Sequence, residues 1–164
     1  MLQAGLWSAP AIVIATSAPA AAASQTTAVG SFISIYDVAL NSHNNGRAAF
    51  NFTYAYQVYN DQSAFAGVGL EAYQAASDPA FSTWATTWLF EVLDASSRVV
   101  YSTTGNAVVT HNGAYTLPEV VFDLPGTGIH TGRVTVTSSQ VTSYTGYSFA
   151  LAPVTKTSQP IQVN

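Results

Sequence analysis

Between residues 50 and 58 every second side chain is aromatic or branched: Phe50, Phe52, Tyr54, Tyr56 and Val58 alternate with Asn51, Thr53, Ala55 and Gln57. A period of two matches the alternation of side chains across a pleated strand, so the aromatic set covers one face of a sheet and belongs to a core. The pattern returns from Thr83 onward, where Trp84, Thr86, Trp88, Phe90 and Val92 face one way and Thr87 and Glu91 the other. The segments between such runs are built from residues that turn the chain. Asn41 to Gly46 forms a loop in which Asn45-Gly46 readily takes positive φ, and Asp94-Ala95-Ser96-Ser97 is a tight turn into Arg98 to Ser102.

Extending this reading predicts strands at Gly30–Leu40, around Ala107–Thr110, Leu117–Leu124, Gly132–Ser138, Tyr144–Leu151 and Thr155–Val163. Residues 60–82 are a long connection rich in small residues, with Gly67, Gly69 and Asp78-Pro79, and the pattern fits either a short strand at Val68–Tyr73 or a helical turn. Eight or nine short strands without a strong helix predict an all-β fold, a single sandwich of two antiparallel sheets. A jelly roll or a small barrel has a similar pattern.

Composition restricts what such a domain does. Only 7% of the chain is charged, against roughly a quarter in ordinary globular proteins, so Thr, Ser, Asn and Gln must solvate the surface. The basic residues are Arg47, Arg98, Arg133 and Lys156, and the formal net charge is −4. No basic stripe is available to neutralise a row of phosphates, which argues against nucleic acid as a partner. There is no cysteine, hence neither a disulfide framework nor a thiol nucleophile.

The amino-terminal segment has a different character. No charged residue precedes Asp37, and the apolar run Ala11-Ile12-Val13-Ile14-Ala15 leads through Pro19 to Ala20-Ala21-Ala22-Ala23-Ser24. An apolar core followed by small residues is the layout of a secretory signal peptide, with Ala21 and Ala23 before a cleavage site at Ser24. A membrane-spanning helix needs about 20 predominantly apolar residues, and Ser8, Pro10, Thr16, Ser17 and Pro19 interrupt this stretch. Ala4-Gly5-Leu6-Trp7-Ser8-Ala9-Pro10-Ala11-Ile12-Val13-Ile14-Ala15 resembles the second half of the twin-arginine signals of exported actinobacterial proteins. That resemblance implies an arginine-rich stretch upstream of Met1 and an export route. It divides the chain into a signal segment, residues 1–23, and a sandwich domain, residues 24–164, expected to be secreted or at the cell surface. The membrane would enter only through an uncleaved signal.

The segment Trp88-Leu89-Phe90-Glu91-Val92-Leu93-Asp94-Ala95-Ser96-Ser97-Arg98-Val99-Val100-Tyr101 resembles the mid-domain hairpin of bacterial immunoglobulin-like and fibronectin-type modules. The resemblance implies an immunoglobulin-like sandwich, with Trp88 as its central core residue.

The residues that could carry chemistry do not form a recognisable constellation. His43, His111 and His130 are dispersed, and His43 and His111 lie in Asn/Gly turns, so solvated histidines are favoured over a metal site. The Gly-x-Ser-x-Gly elbow is absent. Asp37, Asp61, Glu71, Asp78, Asp94, Glu119 and Asp123 are scattered, and Glu119 and Asp123 on one strand would stand roughly 13 Å apart, too far for a glycosidase pair. Leu124-Pro125-Gly126-Thr127-Gly128 matches the sortase pattern Leu-Pro-x-Thr-Gly but lacks the following apolar span and basic tail of that family, so it reads as a turn. Asn51-Phe52-Thr53 is a glycosylation sequon within a predicted strand. Lys156, the sole lysine, lies too late in the chain to match self-crosslinked pilin domains, which carry theirs in the first strand.

Three functions remain at this level. The first is a non-catalytic exported module for adhesion, assembly or ligand binding, with an extracellular protein or glycan as partner and no cofactor. The second is a carbohydrate-binding domain using Trp84, Tyr59 and Tyr73 as stacking faces. The third is a small secreted hydrolase. Edge pairing with another chain is expected, if anywhere, at Gly30–Leu40 or Ile161–Asn164.

Overall fold

A computed structural model describes residues 27–30, 33–56, 83–110, 113–144 and 147–164. Eleven strands form among them: β1 (Thr27–Gly30), β2 (Ile33–His43), β3 (Arg47–Tyr56), β4 (Thr83–Asp94), β5 (Val99–Thr110), β6 (Ala114–Asp123), β7 (Gly128–Thr137), β8 (Val141–Tyr144), β9 (Tyr147–Leu151), β10 (Val154–Thr157) and β11 (Ile161–Val163). The fold is an antiparallel β-sandwich. One sheet has the order β2-β3-β6, and the other β10-β7-β4-β5 with β11 also on β7. The chain makes two hairpins, crosses from β5 to β6 in the first sheet, and returns to β7 in the second. This is the Greek-key connectivity of an immunoglobulin-like domain. A small third sheet, β1-β9-β8, is appended, with β1 parallel to β9.

The aromatic alternation forms the interface between the sheets. Phe50, Phe52, Tyr54 and Tyr56 of β3 face Trp84, Trp88, Phe90 and Val92 of β4, and all are buried. Phe50 stacks on Phe90 with centroids 3.9 Å apart and planes 7° from parallel, while Phe52 meets Trp88 edge-on at 5.2 Å. An edge-on contact such as Phe52–Trp88 adds about 0.5–1.5 kcal/mol beyond the area it buries. Trp88 fits because Gly105 lies opposite it in β5. A Cβ on Gly105 would come within 2.6 Å of Trp88 Cε2.

Several boundaries differ from the sequence reading. Residues 99–110 form one continuous strand, because Thr103, Gly105 and Ala107 keep pairing with β4 through a stretch whose small side chains hide the alternation. The predicted strands Tyr144–Leu151 and Thr155–Val163 each split in two. In the second, Ser158 leaves the ladder to exchange hydrogen bonds with Gly132: its amide donates to the Gly132 carbonyl at 2.8 Å, and its hydroxyl oxygen accepts from the Gly132 amide at 2.9 Å. The first predicted strand also divides, into β1 and β2. The expected 41–46 loop is shorter, because Asn41, Ser42 and His43 stay paired in β2, while Asn45 and Gly46 take φ 63° and 69° as expected and Ser97 in the β4–β5 turn takes φ 62°.

Candidate functional site

Strand directions place three connections at one end of the sandwich. β3 leaves the sheet at Tyr56 and β4 re-enters at Thr83; the β5–β6 turn and the β7–β10 connection, which contains β8 and β9, lie at the same end. β2 begins there too, since Ile33 pairs with Tyr56. Among the described residues the opposite end carries the short turns at 44–46, 95–98 and 124–127, and β11 ends there.

At the loop-bearing end β4 extends beyond its last pair with β7, Thr87–Thr137. The exposed ladder of β4 is closed by side chains. Gln140 accepts from the Ala85 amide through Oε1 at 2.8 Å and donates from Nε2 to the Thr83 carbonyl at 3.0 Å, so its carboxamide substitutes for a strand backbone. Ser138 Oγ donates to the Ala85 carbonyl at 2.7 Å. This clasp holds Ser139 over the outer face of the sheet and walls a shallow concavity of about 300 Å³, lined by Ala85, Thr87, Asn106, Val108 and Ser139 with Thr86 and Ala107 behind. The lining is neutral. Thr87 Oγ1 donates to Asn106 Oδ1 at 2.9 Å, which leaves the Asn106 amide hydrogens to point outward, and Val108 is 64% exposed. Such a surface offers hydrogen-bond donors and a small apolar contact, and lacks an acid–base pair. Nothing in the sequence marked Ser138 and Gln140, whose role depends on where β7 stops.

The predicted site residues separate. Trp84 is fully buried, packed against Tyr56 with ring centroids 5.9 Å apart, so its face is closed to a sugar ring. This corrects the expectation that it is a stacking platform: Trp84 shares parity with Trp88, and the strand has already begun at Thr83. Tyr59 and Tyr73, and the cleavage residues Ala21, Ala23 and Ser24, lie outside the described residues. The indole N–H groups of Trp84 and Trp88 are both buried without a hydrogen-bond partner among the described residues. Trp88 is core, as expected.

Among the described residues the titratable side chains are dispersed, and several are paired. His43 Nε2 lies 3.6 Å from Glu119, Arg47 3.5 Å from Asp123, and Arg133 2.8 Å from Glu91. Glu119 and Asp123 therefore each face a different partner. His130 is buried in β7 with Nδ1 3.1 Å from the Gly128 carbonyl, contrary to a solvated position; His111 lies outside the described residues. No group of three His, Cys, Asp or Glu able to hold a metal occurs among the described residues. Asp94 closes the β4–β5 turn, accepting from the Arg98 and Ser96 amides and from Arg98 Nε. The Arg98 amide, with these other donors and the Arg98 charge, lowers the Asp94 pKa below its ordinary 3.8. The Leu-Pro-Gly-Thr-Gly match is a turn: Leu124 is buried, and Gly126 and Gly128 take φ 88° and 116°. Lys156 Nζ donates to the carbonyls of Ile35 and Tyr36 at 3.0 and 2.8 Å.

The described strands define an immunoglobulin-like β-sandwich. No protein-family description matches the chain, and no curated protein matches it. Among solved structures it is similar to β-glucuronidase from Parabacteroides merdae. A glycerol-bound structure aligns over 80% of this chain and 13% of that one, at 12% identity and a TM-score of 0.43. A second structure of the enzyme aligns over 80% and 14%, at 13% identity and the same TM-score. The chain thus spans about one-seventh of the enzyme's length or less.

Proposed function

We propose that this protein is a non-catalytic exported β-sandwich module acting at the cell envelope or in the medium, in adhesion, assembly or ligand binding. The observation that supports this reading best is the asymmetry of the sandwich. Among the described residues one end has short turns, while at the other β3 ends and β4 begins beside the β5–β6 and β7–β10 connections and the neutral concavity. Variable connections held at one end of a rigid sandwich are the arrangement by which such domains present a recognition surface. The signal-like segment at residues 1–23 supports the export part of the reading. With Trp84 in the core, a carbohydrate-binding variant of this function depends on Tyr59 and Tyr73.

The test is sedimentation of the purified full chain with isolated cell walls of the producing cell, comparing two single-charge variants. Ser139→Arg puts a cation over the concavity, and Thr127→Arg puts the same charge on an exposed turn at the other end. Recognition by the loop-bearing end predicts that Ser139→Arg weakens binding about tenfold, or ~1.4 kcal/mol, and that Thr127→Arg leaves it unchanged. Equal binding by all three proteins, or loss only in Thr127→Arg, contradicts the reading.

A further inference from the structure

Sheet edges are sites where another chain can add, and proteins protect them with proline, charge, bulges or brevity. The described edges of this protein are protected in those ways, with one exception. β6 carries Pro118 and Glu119 at a bulge opposite Phe50–Phe52. β2 has a bulge at Tyr36, where Lys156 occupies two carbonyls, and Asp37 follows it. β10 and β11 are short and separated at 158–160, with Pro160 in the break. β1 and β8 have four residues each. The edge sites expected from the sequence, Gly30–Leu40 and Ile161–Asn164, are therefore divided, bulged or short.

β5 is the exception. It runs for 12 residues, contains no proline and no charged residue, and is bulged only at its beginning, near Val99–Tyr101. Its free side follows from the hydrogen bonds of β4. The backbone groups of Thr83, Ala85 and Thr87 point away from β5, toward Gln140, Ser138 and Thr137. Trp84, Thr86, Trp88 and Phe90 therefore point toward β5 and pair with Val109, Ala107, Gly105 and Thr103. Ser102, Thr104, Asn106 and Val108 thus direct their N–H and C=O groups outward, and no described strand pairs with them.

We infer that the outer edge of β5 pairs antiparallel with β5 of a second copy of this chain, about a two-fold axis beside Gly105. In that register Ser102 lies opposite Val108 of the second copy and Thr104 opposite its Asn106, so all four outward residues pair. Charge favours a second copy over a charged peptide. Residues 99–110 offer no counter-charge to such a peptide, and two copies meet there without opposing like charges despite the net charge of −4. The pairing is isologous and consumes the one long unprotected edge among the described strands, so assembly stops at the dimer. It also covers part of Val108, the most exposed large apolar side chain described.

Light-scattering mass of the full 17.2 kDa chain across a dilution series, combined with hydrogen exchange of residues 102–108, tests this. The expected result is a doubled mass at high concentration that halves on dilution, with the amides of Ser102, Thr104, Asn106 and Val108 losing protection as it does. Thr104→Pro removes an outward N–H, together with the Thr104 Oγ1 hydrogen bond to the Trp88 carbonyl, and should give a monomer at every concentration. Ser102→Pro serves the same purpose if the first variant does not fold, and Ile129→Lys, an exposed apolar site on β7, should leave the dimer intact. A wild-type chain that stays monomeric overturns the inference, as does a dimer unaffected by a folded proline variant. Protection of these amides independent of concentration also overturns it, because the chain itself would then cover the edge.

Discussion

Tyr54 and Thr86 carry a hydrogen bond that crosses the core between the two main sheets, which Lys156 also joins at their edge. Thr86 Oγ1 donates to the Ala107 carbonyl at 3.0 Å and so accepts the Tyr54 hydroxyl at 2.8 Å. Replacing Thr86 with Val leaves the phenol buried without this partner, which should cost about 1–3 kcal/mol in a denaturant melt. Burial raises the Tyr54 pKa above its ordinary 10.0, the Thr86 hydrogen bond opposing it and Tyr115 adding to it. A pKa raised in the folded state means that the stabilisation is fully present below the unfolded value and is lost as pH rises toward the folded one. Alkaline stability should accordingly fall from about pH 10 upward, and Tyr54→Phe should flatten that limb; an unchanged limb would place the alkaline transition elsewhere. Gly105 is constrained by close approach, because Trp88 fills the space a Cβ needs. Gly105→Ala should destabilise by about 1–3 kcal/mol through overpacking, visible as a lower melting temperature and a shift in tryptophan emission.

At the scale of elements, the β4–β5 hairpin depends on Asp94 and on a non-glycine residue in the left-handed region. Ser97→Gly removes that strain and should stabilise by about 0.5–1 kcal/mol, measured by urea unfolding. Asp94 has a depressed pKa, so its contribution is present above the unfolded value and lost as pH falls through the folded one. Asp94→Asn should therefore weaken the hairpin near neutral pH and remove part of the acid limb, which an acid titration of the variant would reveal. This hairpin was legible in the sequence because its turn residues and its alternation agree. The aromatic face of β3 and the inward face of β4 were legible for the same reason. Trp84 was not placed, since parity says which face it takes but not that the sheet extends over it. The continuity of β5 was hidden by its small residues. The Gln140 clasp and the docking of Lys156 on the β2 bulge were illegible, as each joins segments distant in sequence through a side chain that replaces a strand.

For the whole molecule, the absence of cysteine and the scarcity of charge leave burial and sheet hydrogen bonds to hold the sandwich together. The outer face of the second sheet is solvated mainly by Thr135, Thr137, Thr155 and Thr104, several of which bond one another or the backbone. Glu91 and Arg133 on that face are paired with each other, so it presents little net charge to a partner. The paired and dispersed state of Glu91, Glu119, Asp123 and Asp94 is consistent with structural use of the few charges present. The central claim, an exported folded module, is tested most directly by expressing the full upstream reading frame in a producing cell and measuring the intact mass of the protein from medium, envelope and cytosol. The account predicts a species beginning at Ser24 in the medium or on the envelope. A protein found only in the cytosol, with residues 1–23 still attached, would contradict it.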